Sequence, residues 1–226
     1  MHDPFDVRAL DGSALALRTL TLAAGTTAAV GEPEHDSLLY VGSGAGLLAV
    51  GEESASIRPR SAGLVLAGED AVVSASEELE AIVATVGPAT DLHAPMGARQ
   101  LAVSLDATEA QGATGARSFQ ILFGPHNGST RATLFAGFIP PGKAPWHYHL
   151  YDEIVWVPEG PGRLHLAEGD EPLGAGAAFR LRPRQVHIVE NEDASEMTII
   201  GVFTPAGSPS AAYLTADVAG EYRFAG

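Results

Sequence analysis

The stretch Gly142-Lys143-Ala144-Pro145-Trp146-His147-Tyr148-His149-Leu150-Tyr151-Asp152-Glu153 decides how this chain is read. On an extended strand, side chains two residues apart point to the same face, so His147 and His149 can address one ion together. Glu153 falls at even spacing from them and joins if the strand continues or bends locally. Downstream, His187 offers a third imidazole from a neighbouring strand. Three neutral imidazoles and one carboxylate suit Fe(II), Mn(II), Ni(II), Cu(II) or Zn(II), and are too rich in nitrogen for Mg or Ca. The chain has no cysteine, which excludes disulfides, thiolate metal sites and a cysteine nucleophile.

Around this stretch the sequence reads as strands. Ala14–Leu22, Leu38–Val41, Leu47–Val50, Leu64–Leu66 and Leu79–Val86 are short apolar runs separated by Gly, Pro or acidic turns. The second half repeats the style in Ser118–Phe123, Arg131–Ile139, Glu153–Val157, Arg163–Leu166, Ala177–Leu181, His187–Glu190 and Glu196–Phe203. Strands this regular, with 26 Gly and 15 Pro in the chain, predict an all-β barrel or sandwich. Between the halves, residues 88–116 read as a connection, with a short helix predicted around Ala98–Leu105.

The halves also resemble each other. Ser37–Gly46 aligns without a gap on Glu153–Gly162, each an apolar strand running into a glycine turn. Gly63 then answers to Gly176. Such a repeat implies two copies of one fold. In the same gap-free alignment Gly31 stands at His147, Pro33 at His149, His35 at Tyr151 and Ser37 at Glu153, so the first copy lacks the ligand set. Glu34 and His35 find no third partner there.

The motifs resemble those of the cupin superfamily. Its first motif, roughly G-x5-H-x-H-x3-E-x6-G, is similar to Gly142 through Gly160, with the first glycine one position close. Its second, roughly G-x5-P-x-G-x2-H-x3-N, is similar to Gly176 through Asn191, with Arg182 and Arg184 in place of the usual Pro and Gly. Glycine tolerates positive φ at the position of Arg184 and arginine does not, which puts that loop's geometry in question. The resemblance implies two tandem jelly-roll (double-stranded β-helix) cupin barrels. Residues 1–95 would form a degenerate, metal-free barrel, 96–116 a linker, and 117–226 a barrel holding one divalent metal on His147, His149, Glu153 and His187. Asn191 belongs to the motif as a structural residue.

Bulk properties narrow the function. A net charge of -15 argues against nucleic acid and anionic membranes as partners. The N-terminal Met1–Asp6 stretch lacks the features of a secretory signal, and no apolar run reaches membrane-spanning length. The expectation is a cytoplasmic homodimer acting on a small-molecule substrate. Arg131, Lys143, Arg180, Arg182 and Arg184 lie near the motifs and are read as balancing local acids. Phe135, Phe138, Phe179 and Phe203 are assigned to the barrel interior, and Tyr148 to its outside. His126 and His165 are the other histidines to watch near a cavity, while His2 and His93 read as structural. The leading reading is a metal-dependent enzyme with dioxygenase-type oxidoreductase chemistry, suggested by similarity in layout to quercetin dioxygenase-like bicupins, with Glu153 as ligand and proton acceptor. A non-redox isomerase, lyase or aminohydrolase is the alternative, and a non-catalytic small-molecule-binding cupin the third.

Overall fold

The computed structural model describes residues 14–88, 92–113 and 116–214; Met1–Asp6, with His2, lies outside the described residues. The first unit contains β1 (Leu15–Leu22), β2 (Thr27–Ala29), β3 (Asp36–Ser43), β4 (Gly46–Val50), β5 (Glu53–Ile57), β6 (Ser61–Val65), β7 (Ala71–Ala75) and β8 (Leu79–Val86). The connection adds β9 (Ala102–Ser104) and β10 (Gln111–Gly112). The second unit opens with β11 (Ser118–Phe123), β12 (Thr133–Ile139), β13 (Gly142–Lys143), β14 (His147–Tyr148) and β15 (Asp152–Trp156). It continues through β16 (Gly162–Leu166), β17 (Gly169–Leu173), β18 (Ala178–Leu181), β19 (His187–Asn191), β20 (Met197–Thr204) and β21 (Tyr213–Leu214).

Each unit is a pair of facing antiparallel sheets. The first pairs the order β1-β8-β3-β6-β9 with β2-β7-β4-β5; the second pairs β10-β11-β12-β20-β15-β18 with β17-β16-β19-β14-β21. This is the two-barrel, all-β architecture that the strand pattern and the repeat predict.

The central strands read as unbroken apolar runs because both of their faces are buried. In β8, Leu79, Ala81 and Val83 fill the first barrel, while Ile82, Ala84 and Val86 pack outward. In β20 and β15, Ile199 and Val155 fill the second barrel, and Ile200, Val202 and Ile154 turn the other way. The outward sets meet in one core with Leu15, Leu38, Leu64, Leu122 and Leu134, which joins the two barrels sheet to sheet. An ion pair from half-buried Arg131 to buried Asp36, at 3.5 Å, crosses the same junction, and Arg131 also donates to the Gly87 carbonyl at 3.2 Å. Phe138, expected inside the second barrel, packs instead against this shared core, as its even position in β12 requires.

The predicted helix around Ala98–Leu105 is not formed. Ala102–Ser104 is β9, paired with β6, and one 3-10 turn follows at Leu105–Ala107. The edge of β6 exposes backbone groups that need partners, and the connection supplies them, including Leu64 N–H to the Leu101 carbonyl at 3.0 Å. Arg99 anchors the same segment by pairing with Glu69 and donating to the Leu64 carbonyl.

Strand pairing also corrects the repeat. Leu39 sits opposite Gly63, whereas Val155, aligned with Leu39, sits opposite Phe179, so Gly63 answers to Phe179 rather than Gly176. Gly63 is small because a Cβ there would lie 2.4 Å from a methyl of Leu39 and 2.6 Å from one of Leu48.

Because Leu134 is fully buried in the shared apolar core, Leu134→Ala should destabilise the metal-free protein by about 2–5 kcal/mol. Leu47→Ala, on the exposed outer sheet of the first barrel, should cost under about 1 kcal/mol. Urea unfolding monitored by fluorescence and circular dichroism measures both. A single transition common to the two probes is expected, since the barrels share one core.

Candidate metal centre

The ligand candidates come from both sheets of the second barrel. His147 on β14 is the direct cross-strand neighbour of His187, the first residue of β19. The chain leaves that sheet after Tyr148, and His149 lies on the crossing toward β15. Glu153 therefore does not extend the histidine strand. It stands on the facing sheet, paired with Phe203 of β20 and Leu181 of β18, and points inward by the alternation that also sends Val155 inward.

Three imidazoles converge. One ligand-type atom from each of His147, His149 and His187 lies within 4.8 Å of the others, and all three residues are buried. Ring centroids are 4.3 Å apart for His147 and His187, and 5.1 Å apart for each of the other two pairs. His147 Nδ1–H donates to the Pro145 carbonyl at 2.8 Å, and His187 Nδ1–H donates to the Gln185 carbonyl at 2.9 Å. Those bonds fix the tautomer that leaves each Nε2 lone pair open. His149 lacks such an anchor. Its Nδ1 is buried without a well-formed hydrogen bond, although the Ala211 backbone comes close enough to favour the protonated ring. Stacking holds it instead: Tyr151 lies parallel to the ring at 4.6 Å, and Phe203 backs Tyr151 at 3.9 Å. Glu153 stands outside the three-imidazole group, with Oε2 3.8 Å from His149 Nε2.

Electrostatics suit a cation. Burial lowers the His147 pKa to about 2, helped by His187 and Arg117; burial likewise lowers His149 to about 3 and His187 to about 4. All three are neutral donors at physiological pH. Burial raises Glu153 to about 8, opposed by Arg117. A nitrogen-rich set of open, neutral imidazoles beside one carboxyl fits a divalent transition metal.

The imidazoles open into a cavity of about 80 Å³, walled by Phe119, Phe135, Tyr151, Leu181 and Ile199. Gly201 makes room for it: a Cβ there would fall 2.3 Å from the Phe135 ring and 3.0 Å from Glu153 Oε1. Pro209, Ser210 and Ala212, from the chain beyond β20, close one side. One lining residue escaped the sequence reading although strand alternation carries its signal: Arg117 shares the parity of Phe119. Tyr151 lies on the crossing toward β15, where alternation gives no signal. The Pro209–Ala212 stretch carries no such signal.

Other assignments resolve plainly. Tyr148 faces outward and stacks on Tyr213 at 5.4 Å. His165 lies between Asp170 and Glu190, 2.7 Å from each, away from the cavity, and His126 is exposed. His93 is exposed with Nδ1 2.8 Å from the Ala94 carbonyl oxygen. Arg131, Lys143 and Arg180 pair with Asp36, Glu190 and Asp152. Asn191 is structural, donating to the Ile139 and Ser195 carbonyls. Arg184 adopts φ 67°, so the loop keeps the left-handed turn despite the side chain, and its N–H reaches the His149 carbonyl at 2.6 Å.

That last bond has a twin in the first barrel, where Gly68, at φ 82°, donates to Glu32. Likewise Val30 N–H meets the Ala71 carbonyl where His147 faces His187. The equivalents of the three histidines are thus Val30, Glu32 and Ala71, one residue off the gap-free alignment because the loops differ in length. Ser37 matches Glu153. Glu34 is exposed and His35 half-buried on the intervening loop.

The charges make stability pH-dependent. Below about pH 6.5 the unfolded chain protonates the three histidines and the folded barrel does not, so stability falls as pH falls. Between 4.5 and about 8, folded Glu153 holds a proton that the unfolded chain has released, so its effect lowers stability as pH rises. The metal-free protein should therefore melt highest at about pH 7, where the opposing slopes balance. Glu153→Gln should abolish the alkaline decline and keep the acid one, as calorimetry across pH 5–9 would show.

The cupin-domain family model matches residues 136–203, which hold the four candidate ligands. No curated protein matches the chain in sequence. Among solved structures, a mutant of Bacillus subtilis oxalate decarboxylase OxdC superposes with TM-score 0.73 at 12% identity, covering 89% of this chain and 71% of that one. A further structure of that decarboxylase concerns its Mn(II) centres. AerE from Microcystis aeruginosa gives TM-score 0.70 at 14% identity, covering 85% and 88%. A cupin 2 conserved barrel domain protein from Leptotrichia buccalis gives 0.61 at 14%, covering 86% of each. These likenesses carry the fold, and with the three-imidazole group they support a metal-dependent cupin. Residues 136–203 are thus similar to a cupin domain, and the chain as a whole has the fold of two all-β barrels in tandem.

Proposed function

We propose that the second barrel is the catalytic unit of a metal-dependent enzyme converting a small organic molecule, with His147, His149, His187 and Glu153 as its metal ligands. The observation that carries this is the opening of three buried, neutral imidazoles onto a cavity instead of into packed core. A side-chain-filled barrel, as a purely structural metal site would have, leaves no such space. When bound, Fe, Mn, Ni, Cu or Zn would supply a Lewis acid and, if redox-active, a place for O2 beside the substrate.

The chain's own groups supply the rest. Phe119, Phe135, Leu181 and Ile199 give the cavity apolar walls, which strengthens charge interactions beside them. His147 and His187 are held by backbone carbonyls and His149 by Tyr151, so the donor set is preorganised. Glu153 is the only carboxyl among the described lining residues, so it is the group that would serve there as a ligand or, when not coordinated, would hold or release a proton.

The cavity's size orders the chemistries. About 80 Å³ favours a compact substrate, being well below the 300–1,000 Å³ of ordinary drug-sized pockets. The two-barrel layout that suggested a dioxygenase is equally that of oxalate decarboxylase. We therefore place proton-transfer chemistry of the lyase, isomerase or aminohydrolase kind first, and dioxygenase-type oxidation second.

Elemental analysis of protein from its native host, followed by turnover screening with and without O2, tests this. Equal rates under both atmospheres are expected, with loss of about 10²-fold or more in Glu153→Gln. Strict O2 dependence with matching O2 uptake would reverse the order. Unchanged metal content in the His147→Ala, His149→Ala double variant would overturn the site.

A further inference from the structure

Phe135 stands at the centre of β12, paired with Ile121 of β11 and Gly201 of β20, and its side chain lines the cavity of the second barrel. Its ring occupies space that two glycines leave empty. A Cβ on Gly201 would lie 2.3 Å from ring atom Cε1 and 2.5 Å from Cζ, and a Cβ on Gly137 would lie 3.4 Å from Cε2. The ring therefore rests low on the sheet, over backbone that carries no side chain. Phe203 packs against it edge to face, with centroids 5.9 Å apart, and Phe203 in turn stacks on Tyr151. Phe135 is thus held from below and from the side, and is buried.

The Glu153 carboxyl shares that seat. Its Oε1 would fall 3.0 Å from the same added Cβ on Gly201, so the end of the ring and the carboxyl flank one point above this glycine. Phe135 adjoins the candidate ligands without being one of them. The first barrel shows the alternative packing. There Val83, paired with Leu39, takes the place of Gly201, paired with Val155, and both side chains belong to a filled interior.

We propose that Phe135, seated on Gly137 and Gly201, is a specificity-determining residue: its ring is the floor that receives the carbon skeleton of the substrate and restricts it to a short, unbranched chain. The ring offers a flat apolar surface and no hydrogen bond, so it favours small hydrocarbon parts over polar ones. A bulkier skeleton would have to push the ring aside. The ring cannot sink, because the backbone of the two glycines already lies beneath it, and Phe203 blocks its flank. Overpacking of this kind is costly, so bulk on the substrate is selected against. This inference rests on the reading of the second barrel as a metal-dependent substrate site.

The test uses the full chain loaded with Co(II), whose visible spectrum reports on what approaches the metal. Metal content is measured first. Acetohydroxamate and benzohydroxamate, which share a chelating group and differ in bulk, are then titrated into wild type, Phe135→Leu, Phe135→Met and the control Tyr148→Phe on the barrel's outer face. Wild type and the control should bind acetohydroxamate at least about tenfold more tightly than benzohydroxamate. Phe135→Leu and Phe135→Met should lose most of that preference by gaining affinity for benzohydroxamate. Gly201→Ala should raise the ring into the cavity, weakening acetohydroxamate about tenfold and lowering the melting temperature of the metal-free protein. Adding Phe135→Leu to Gly201→Ala should restore part of both. Equal binding of the two probes by wild type, no response to acetohydroxamate, an undiminished preference in loaded Phe135→Leu and Phe135→Met, or no recovery in the double variant would overturn the role of Phe135 alone. Failure of wild type to retain Co(II) would overturn the metal-site reading and this inference with it.

Discussion

Burial of the central strands on both faces is the constraint from which the rest of the molecule follows. β8, β12, β15 and β20 each send one set of side chains into a barrel and the other into the core between barrels. A strand clamped this way cannot slip by one residue without exchanging its two apolar sets, so register is strongly specified. Glu153 belongs to such a strand, with Ile154 locked in the shared core and Val155 in the barrel beside it. The first barrel therefore does more than accompany the second. It supplies the surface that fixes the sheet from which the carboxyl projects.

The site itself is held from several directions. Two imidazoles take their orientation from backbone carbonyls at Pro145 and Gln185, groups that any side-chain sequence would provide once the loops adopt this path. The third relies on an aromatic stack, and that stack ends on Phe203 of β20, again a strand set by the inter-barrel packing. The turn that supports His149 from the other side is the one at Arg184, where a non-glycine residue occupies left-handed backbone. Such conformations cost about 1–2 kcal/mol. The hydrogen bond from Arg184 to the His149 carbonyl offsets part of that cost, and the same turn carries glycine in the first barrel.

Comparing the barrels separates what the fold requires from what the chemistry requires. Both keep the loop hydrogen bond and the cross-strand meeting of the two short strands, but Val30, Glu32 and Ala71 replace the imidazoles in the first. Its interior is filled by Leu39, Val41, Leu48, Val65 and Val83. The second barrel has Gly201, paired with Val155, where the first has Val83, paired with the equivalent Leu39. The cavity is thus a local departure from a packing plan that is otherwise complete.

The sequence by itself determined the strands, the tandem arrangement and the four clustered ligand candidates, because these rest on local alternation and on spacing within short segments. Period-two spacing predicted that His147 and His149 meet, and they do, although His149 lies past the end of β14 on the crossing toward β15. It could not show that Glu153 arrives from the opposite sheet, because the chain turns a corner between His149 and Asp152. Nor could it show that Arg117 lines the cavity while five arginines and lysines nearer the motifs do not, since proximity along the chain says little about which segment closes a barrel. Placing β9 on the edge of β6 and shifting the first barrel's equivalents to Val30 and Glu32 likewise depended on long-range pairing. Those choices were left to the tertiary structure, where backbone groups find partners and buried charges find their neighbours across sheets.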